Sequence, residues 1–412
     1  MSLGKGYYKI LEILGQGAHA TVCSAEVRDG SGTRVALKVV RRENLDNLTV
    51  INRIHDEARV LGSLRHPNII HVMPLLDCGG TPVLEMELVE GISLREVLRQ
   101  TKAGLPTEIA LTIIEKSADA LDYAYSAPNA DGKPMHIIHR DINPSNIVVS
   151  TEGTVKLVDF GLVKGNFSGR EAKSLYMVST SQGYAPPERT SGRDSASPLV
   201  DVYSLGMTLF ELLTTKTMIV SMHPDKHEEG VQRQLAHVNP PNLQPKHLDE
   251  LRDLIFHMTA YIDKDRPSHK EVVETIGLLM EKASLSAHML SFAQQIIVPG
   301  LDQIEQTQPK NRDFSSIAFL ETTPIGVADQ ELRAKGNKNA PAELMAFLAQ
   351  SDWDKRQPEL QKLVMRCDEF PEASLLAILS GFQRPWWSFW DKPSTSSQVE
   401  AALLMLCDHR ST

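Results

Sequence analysis

Two short polar stretches constrain this chain more than anything else in it: His139-Arg140-Asp141-Ile142-Asn143-Pro144-Ser145-Asn146 and, further on, Asp159-Phe160-Gly161. Between them lie two β-type runs, Ile147 to Val149 and Thr154 to Val158, with a turn signal at Glu152-Gly153. A hairpin there folds Asp159 back beside Asn146. A carboxylate and an amide oxygen, both hard donors suited to Mg²⁺, then converge, and Asp141 is left to take or orient a hydroxyl proton. Such a cluster suits phosphoryl transfer, which asks for little beyond positioning and charge neutralisation.

The rest of the chain offers a scaffold for that cluster. Tyr7 to Leu14, Ala20 to Val27 and Arg34 to Val40 read as strands broken by Gly15, Gly17 and the Asp29-Gly30 turn. Arg53 to Leu64 has helical spacing, with Ile54, Ala58, Leu61 and Leu64 on one side, and Val83 to Val89 is a further strand. After Gly91 the pattern turns helical. Pro106 opens a helix, and Leu199 to Leu213 is apolar almost all round, which predicts a buried helix at the centre of a lobe. The expectation is a small sheet lobe followed by a larger helical one.

With 412 residues, 42% of them hydrophobic, the chain can build one large or two modest domains. No run of eighteen or more apolar residues occurs, and the first residues lack a secretory pattern, so the expected location is cytoplasmic, away from membranes. A net charge of −9 gives no general attraction to nucleic acid or anionic lipid. The cysteines at 23, 78, 367 and 407 form no CxxC pair, which argues against a zinc site and for reduced, structural thiols.

Two further features carry chemistry only in context. Gly15-Gln16-Gly17-Ala18-His19-Ala20 lies between two strands, where glycines let backbone amides approach a polyphosphate; taken alone, a plain hairpin turn is the better reading. Lys38 sits in the apolar strand Val35-Ala36-Leu37-Lys38, where an ammonium needs an anion. A nucleotide phosphate could supply it, or the carboxylate of Glu57 on the next helix; an edge strand with the lysine reaching solvent is the remaining reading.

Taken in order, the glycine loop, the VALK strand, HRDxxxxN, DFG, Gly183-Tyr184-Ala185-Pro186-Pro187-Glu188, Asp201-Val202-Tyr203-Ser204-Leu205-Gly206 and Asp265-Arg266-Pro267 resemble the Hanks-type, eukaryotic-like serine/threonine protein kinases. The resemblance runs from Gly15 to Arg266. It implies an α+β, bilobal fold, with a kinase domain over 1–283 (N-lobe 1–89, C-lobe 90–283) and an added helical region over 284–412. It also implies ATP and Mg²⁺ as cofactors and protein serine or threonine hydroxyls as acceptors. Lys38 would hold the α- and β-phosphates and pair with Glu57, Asp141 would be the catalytic base, and Asn146 and Asp159 would ligate Mg²⁺. Gly15 and Gly17 would cover the phosphates. Met86 would be the gatekeeper, Glu87 and Val89 would offer backbone groups to adenine, and Val22, Ala36 and Val148 would sandwich its ring. Glu188 and Arg266 would form a buried structural ion pair.

Three letters depart from the family pattern. Ala20 stands for the third loop glycine, Pro186 for the alanine of APE, and Asn143 for the lysine that touches the transferred phosphate. An amide at 143 carries no charge, which weakens stabilisation of the transferring group. The departure is similar to a bacterial branch reading HRDxSPxN, and it leaves open an ATP-binding pseudokinase acting as a scaffold; a small-molecule phosphotransferase of kinase-like fold is the third reading. Ser174, Tyr176, Ser179, Thr180 and Ser181 supply hydroxyls to the presumed activation segment, with Ser179 or Thr180 as candidate phosphosites. Residues 300 to 340 read as polar and turn-rich. The last stretch, with all four tryptophans, reads as short amphipathic helices that form a core of their own, dock on the large lobe, or bind a partner.

Overall fold

The computed structural model describes residues 8–321 apart from 29–30, 74, 130–131, 161–165, 168–169, 172–181, 191–196, 222, 308–313 and 315. Most of them fall in one compact unit, Tyr8–Leu76 with Thr81–Glu321. Of a second unit only Asp77–Gly80 is described, a tight turn in which the Gly80 amide donates to the Asp77 carboxylate at 2.7 Å. The tryptophans, Cys367, Cys407, Gly161 and the five activation-segment hydroxyls lie outside the described residues.

The chain opens with β1 (Tyr8–Gln16), β2 (Ala20–Val27), β3 (Arg34–Val40), α1 (Leu48–Ser63), β4 (Leu76–Cys78) and β5 (Thr81–Glu87). β1, β2, β3 and β5 pair antiparallel in that order, which puts β3 in the interior of the sheet. Lys38 therefore lies on a central strand, opposite Val22 on one side and Leu84 on the other, and the edge-strand reading fails. α1 begins five residues before its expected start because Asn47 caps it, its side chain accepting from the Thr49 amide, and because Val50 is buried. The β-branched Thr49, Val50 and Ile51 hide that start from a propensity reading. Glu57 shares the buried face of α1 with Ile54, Ala58 and Leu61, so the helix carries one carboxylate into the protein with its apolar stripe.

Then follow β6 (Gly91–Ser93), α2 (Leu94–Thr101), α3 (Thr107–Ser126), the hairpin β7 (Ile147–Ser150) and β8 (Val155–Leu157), α4 (Pro187–Thr190), α5 (Leu199–Thr214), α6 (Pro224–Leu235), α7 (Pro245–Met258) and α8 (His269–Lys282). α5 is buried from Val200 through Leu212, as its apolar circumference requires. Gly206 lets α7's end close on it: a Cβ there would stand 2.8 Å from both Met258 Cβ and Thr259 Cγ2. The small-sheet and large-helical arrangement expected from the sequence is the one found. Cys23 and Cys78 are buried, free thiols; burial pushes the first up to about 12 and the second up to about 11, so both stay protonated.

Past Ala283 the helical structure continues with α9 (Met289–Phe292), a π-helical turn over Ala293–Ile297 and α10 (Val298–Thr307). The turn-rich reading is corrected here for residues 300–307. Ala293 and Ile297 are fully buried, and Leu301 and Ile304 pack on the same core, so apolar spacing outweighs the polar composition.

Candidate active site

β3, α1 and the end of the β7–β8 hairpin bring three charges together. Lys38 Nζ donates to both oxygens of Glu57 at 2.8 Å and to Asp159 Oδ1 at 3.0 Å. Glu57 is buried, with 4% side-chain exposure, whereas Asp159 keeps 53% and faces solvent. Burial opposes the charge on Lys38, but Asp159 and Glu57 outweigh it and raise its pKa, so the ammonium is held in its charged form. Burial also raises the Glu57 carboxyl, with Lys38 pulling the other way. Asp159 sits at φ 61°, a left-handed conformation that aspartate tolerates better than most residues and that turns its carboxylate at the hairpin's exit.

The loop from His139 to Asn146 is tied from below and within. The Asp201 carboxylate, 1% exposed in the first turn of α5, accepts from the His139 amide at 2.8 Å and the Arg140 amide at 2.7 Å. Arg140 at φ 70° kinks the chain there, and His139 Nε2 reaches the Val158 carbonyl at 3.1 Å. Asn146 Nδ2 donates to the Asp141 carbonyl at 2.7 Å and to Asp141 Oδ2 at 2.9 Å, fixing the aspartate's side chain. Asn143 is 5% exposed; its Nδ2 donates to the Asp141 carbonyl at 2.9 Å and its Oδ1 accepts from the Ser145 amide at 2.8 Å. Both ends of this amide are thus engaged by the loop's own backbone, a side-chain turn that lysine, having no acceptor, cannot form.

The glycine loop is held from behind. The carbonyls of Gly17, Ala18 and His19 accept from Arg41 Nη1 (3.2 Å), Asn44 Nδ2 (3.2 Å) and the Arg41 amide (3.0 Å). In a planar trans peptide the N–H opposes the C=O, so the amides of Ala18, His19 and Ala20 point away from that connector. A Cβ at Gly15 would meet nothing within 4 Å, so the space beside that glycine is open. Met86 lies opposite Ala36 on β3, and Val22 and Val148 are half-buried while Ala36 is buried. Glu87's side chain does not face the cleft as a free charge: it accepts from Lys156 Nζ at 2.6 Å and the His71 amide at 2.7 Å, clamping the strand's end to β8. Val89 follows, half-buried, between β5 and β6.

Among the described residues no cluster of three or more His, Cys, Asp or Glu could hold a metal. The donor set nevertheless fits Mg²⁺, which typically takes one or two protein oxygens and fills its shell with phosphate and water. Asn146's nitrogen is committed to Asp141, which leaves its oxygen as the donor, and the Asp159 carboxylate is half exposed.

Beyond the cleft, Arg266 makes a two-pronged pair with Glu188 at 2.7 and 2.9 Å and stacks 4.9 Å over Tyr203, its side chain fully buried. Tyr184 donates to Glu211 and accepts from Arg95, which itself pairs with Glu211 at 2.6 Å and donates its amide to the Pro144 carbonyl at 2.9 Å. Burial and then Glu211 push the Tyr184 phenol up to about 12, keeping it a neutral donor.

A family model described as the protein kinase domain matches residues 8–276, well over half of the chain. The chain belongs to the protein kinase family. The probable serine/threonine-protein kinase PknB of Lactococcus lactis is 31% identical to this chain over 276 residues, covering 65% of this chain and 41% of that one. The serine/threonine-protein kinase PknA of Mycobacterium tuberculosis is 32% identical over 257 residues, covering 61% and 56%. The chain therefore spans between about a third and just over half of the length of these curated relatives. Among solved structures, the PknI kinase domain of Mycobacterium tuberculosis aligns at 24% identity with a TM-score of 0.49, over 68% of this chain and 100% of that one.

The kinase fold brings Lys38, Glu57 and Asp159 into direct contact, and Asp141, Asn143 and Asn146 into one bonded loop. Sequence reasoning missed Asp201 as the support of that loop, and Arg41 and Asn44 as supports of the glycine loop. Asp201 carried a signal: an aspartate opening a helix that is apolar all round must be buried, and a buried carboxylate needs donors. Arg41 and Asn44 carried none, since exposed polar residues after a strand are ordinary.

Proposed function

We propose that this chain transfers the γ-phosphoryl group of Mg-ATP to serine and threonine hydroxyls of proteins, its own activation segment included. The observation that carries the reading is the pairing of Lys38 with both Glu57 and Asp159, which needs β3, α1 and the β7–β8 hairpin correctly placed at once. In this reading the ammonium of Lys38 holds the α- and β-phosphates, and the amides of Ala18, His19 and Ala20, with Gly15 and Gly17 leaving room, cradle the phosphate end. Val22, Ala36 and Val148 bury the adenine faces, Met86 stands at the pocket's back, and the backbone of Glu87 and Val89 reads its edge. Asn146 and Asp159 would hold Mg²⁺, which would supply positive charge against the phosphates. Asp141, its carboxylate oriented by Asn146, accepts the hydroxyl proton as the new O–P bond forms and the bond to the β-phosphate's bridging oxygen breaks; ADP leaves with that electron pair. Asn143 supports Asp141 through the loop backbone. The scaffold alternative rests on the lost charge at 143 alone, while strand lysine, helix glutamate and both aspartates are in place.

Incubation with labelled ATP and Mg²⁺, followed by phosphoamino-acid analysis, tests the reading. Phosphoserine or phosphothreonine is expected from the wild type and not from Asp159→Ala or Asp141→Asn. Equal incorporation in wild type and Asp159→Ala across several protein acceptors would overturn it.

A further inference from the structure

Arg95, Glu211 and Tyr184 form a polar cluster outside the nucleotide cleft. Glu211 lies within α5 with 4% of its side chain exposed, and a buried carboxylate has to be met by donors. Tyr184 donates to its Oε2 and Arg95 Nη1 to its Oε1, the latter at 2.6 Å, so both oxygens are occupied. Arg95 is not buried with its partner: 42% of its side chain is exposed. Its Nη2 donates to the Tyr184 hydroxyl, and among the described residues nothing takes its Nε–H or the remaining N–H of either Nη.

The cluster borders the catalytic loop. Arg95 opens α2 beside Leu94, and its amide donates at 2.9 Å to the carbonyl of Pro144, in the loop that carries Asp141. Tyr184 belongs to the segment that runs into α4, and from α4 Arg189 donates to the Arg140 carbonyl. Guanidinium groups thus meet the loop from α2 and from α4. In-line transfer sets the attacking hydroxyl opposite the leaving oxygen, so an acceptor reaches Asp141 from the side away from the nucleotide, where elements of the large lobe border the loop. Within the cluster the carboxylate is inward and the cation outward, which turns positive charge toward an arriving chain. The acid next to Arg95 in sequence, Glu96, is taken up by Arg99 at 2.7 Å and Gln100 at 2.6 Å. A counter-ion serving Glu211 alone could be buried with it, whereas a planar fork held at one edge, with unused donors in solvent, is suited to a second carboxylate.

We infer that Arg95 reads an acidic side chain of the acceptor protein, placed close to the serine or threonine that is phosphorylated, and is thus a specificity-determining residue. The inference rests on the phosphoryl-transfer reading above and names its substrate class, proteins whose acceptor hydroxyl lies among aspartate or glutamate. The acceptor's carboxylate takes the free N–H groups of the guanidinium while Glu211 and Tyr184 hold the fork in place, so little side-chain freedom is lost on binding. Water reaches Arg95 and screens the pair, which limits the preference for an acidic over an uncharged side chain to about five-fold in kcat/KM. A lysine at the same place in the acceptor is disfavoured, because it meets a like charge.

The test uses the full chain and a set of serine peptides, identical apart from one side chain that is set to Glu, Gln or Lys in turn at every position flanking the serine; initial rates of labelled phosphate transfer are compared. Wild type is expected to prefer Glu to Gln by about five-fold at a position near the serine, with the preference fading in molar salt. Arg95→Met removes the cation, so the Glu-to-Gln ratio there is expected to fall to about one and the discrimination against Lys to disappear. Arg95→Lys keeps a charge without the fork and is expected to retain part of the preference. A misfolded variant loses rate on all peptides alike and keeps the ratio. Should Arg95→Met be too unstable to assay because Glu211 is stranded, Arg95→Met with Glu211→Gln, which strands no charge, decides on the same ratio. Equal wild-type rates on Glu and Gln peptides at every position overturn the assignment; so does a ratio that survives in either Met variant, and so does a wild type that phosphorylates itself but none of the peptides. A wild type that phosphorylates neither itself nor any peptide sinks the kinase reading along with it.

Discussion

Asn143 is the residue on which the catalytic loop's departure from its family can be measured. Replacing it with alanine removes two bonds, the donation to the Asp141 carbonyl and the acceptance from the Ser145 amide. The Asp141 carbonyl keeps a second donor in Asn146 Nδ2 at 2.7 Å, so that loss is worth only an ordinary net hydrogen bond, about 1 kcal/mol. The Ser145 amide loses its acceptor; Ser145 is exposed and water can partly replace it, which puts the cost at the low end, again about 1 kcal/mol. The sum, about 2 kcal/mol, lowers the melting temperature by roughly 4 to 8 °C for a domain of this size. Loosening the backbone that carries Asp141 lowers kcat by about 10- to 100-fold at little change in ATP affinity. Asn143→Lys loses the same acceptor and places a cation in a slot 5% exposed, so it too is expected to melt earlier and turn over no faster than wild type. The assays are thermal unfolding and initial rates of labelled phosphate transfer against ATP concentration. If Asn143→Lys melts with the wild type and raises turnover, the amide is only a poor lysine and the loop-turn argument is wrong.

Asp201→Asn keeps one acceptor for two buried amides and turns an NH₂ toward the other; a loss of about 2 to 4 kcal/mol by urea unfolding is expected, with reduced kcat because the support of His139 and Arg140 is gone. Glu188→Ala leaves the fully buried Arg266 guanidinium without its pair and is expected to cost about 3 to 5 kcal/mol, while adding Arg266→Met recovers part of it; equal stability of wild type and Glu188→Ala would contradict this. Burial lowers the pKa of His269 below its ordinary 6.5, so the unfolded chain takes up the proton first. Its contribution is therefore present above about pH 6.5 and lost as pH falls, by up to roughly 1.4 kcal/mol per pH unit; urea midpoints at pH 7.5 and 5.5 should differ less in His269→Gln than in wild type.

The sequence by itself determined the fold class and singled out most of the residues proposed for the site, because each signal is local. Strand bounds such as Ala20–Val27 and Arg34–Val40 follow from alternation between turn residues, and Asp141, Asn146 and Asp159 lie on one loop and hairpin whose closure is short-range. Its letters also named the Lys38–Glu57 pair, but only as one option; the interior position of β3 in the sheet removes the edge-strand alternative. What the tertiary structure alone decided concerns partners far apart in sequence or hidden in backbone geometry. Whether Asn143 faces a phosphate or bonds the loop depends on where the Asp141 carbonyl and the Ser145 amide point, which no residue type encodes. Asp201 meets His139 and Arg140 across some sixty residues, and Glu321 meets Ile10 across more than three hundred. An amphipathic stripe declares that a segment will be buried, but the surface that buries it is chosen by every other element of the fold, and so Leu301 and Ile304 read as part of a polar, turn-rich stretch until the core they pack on is seen.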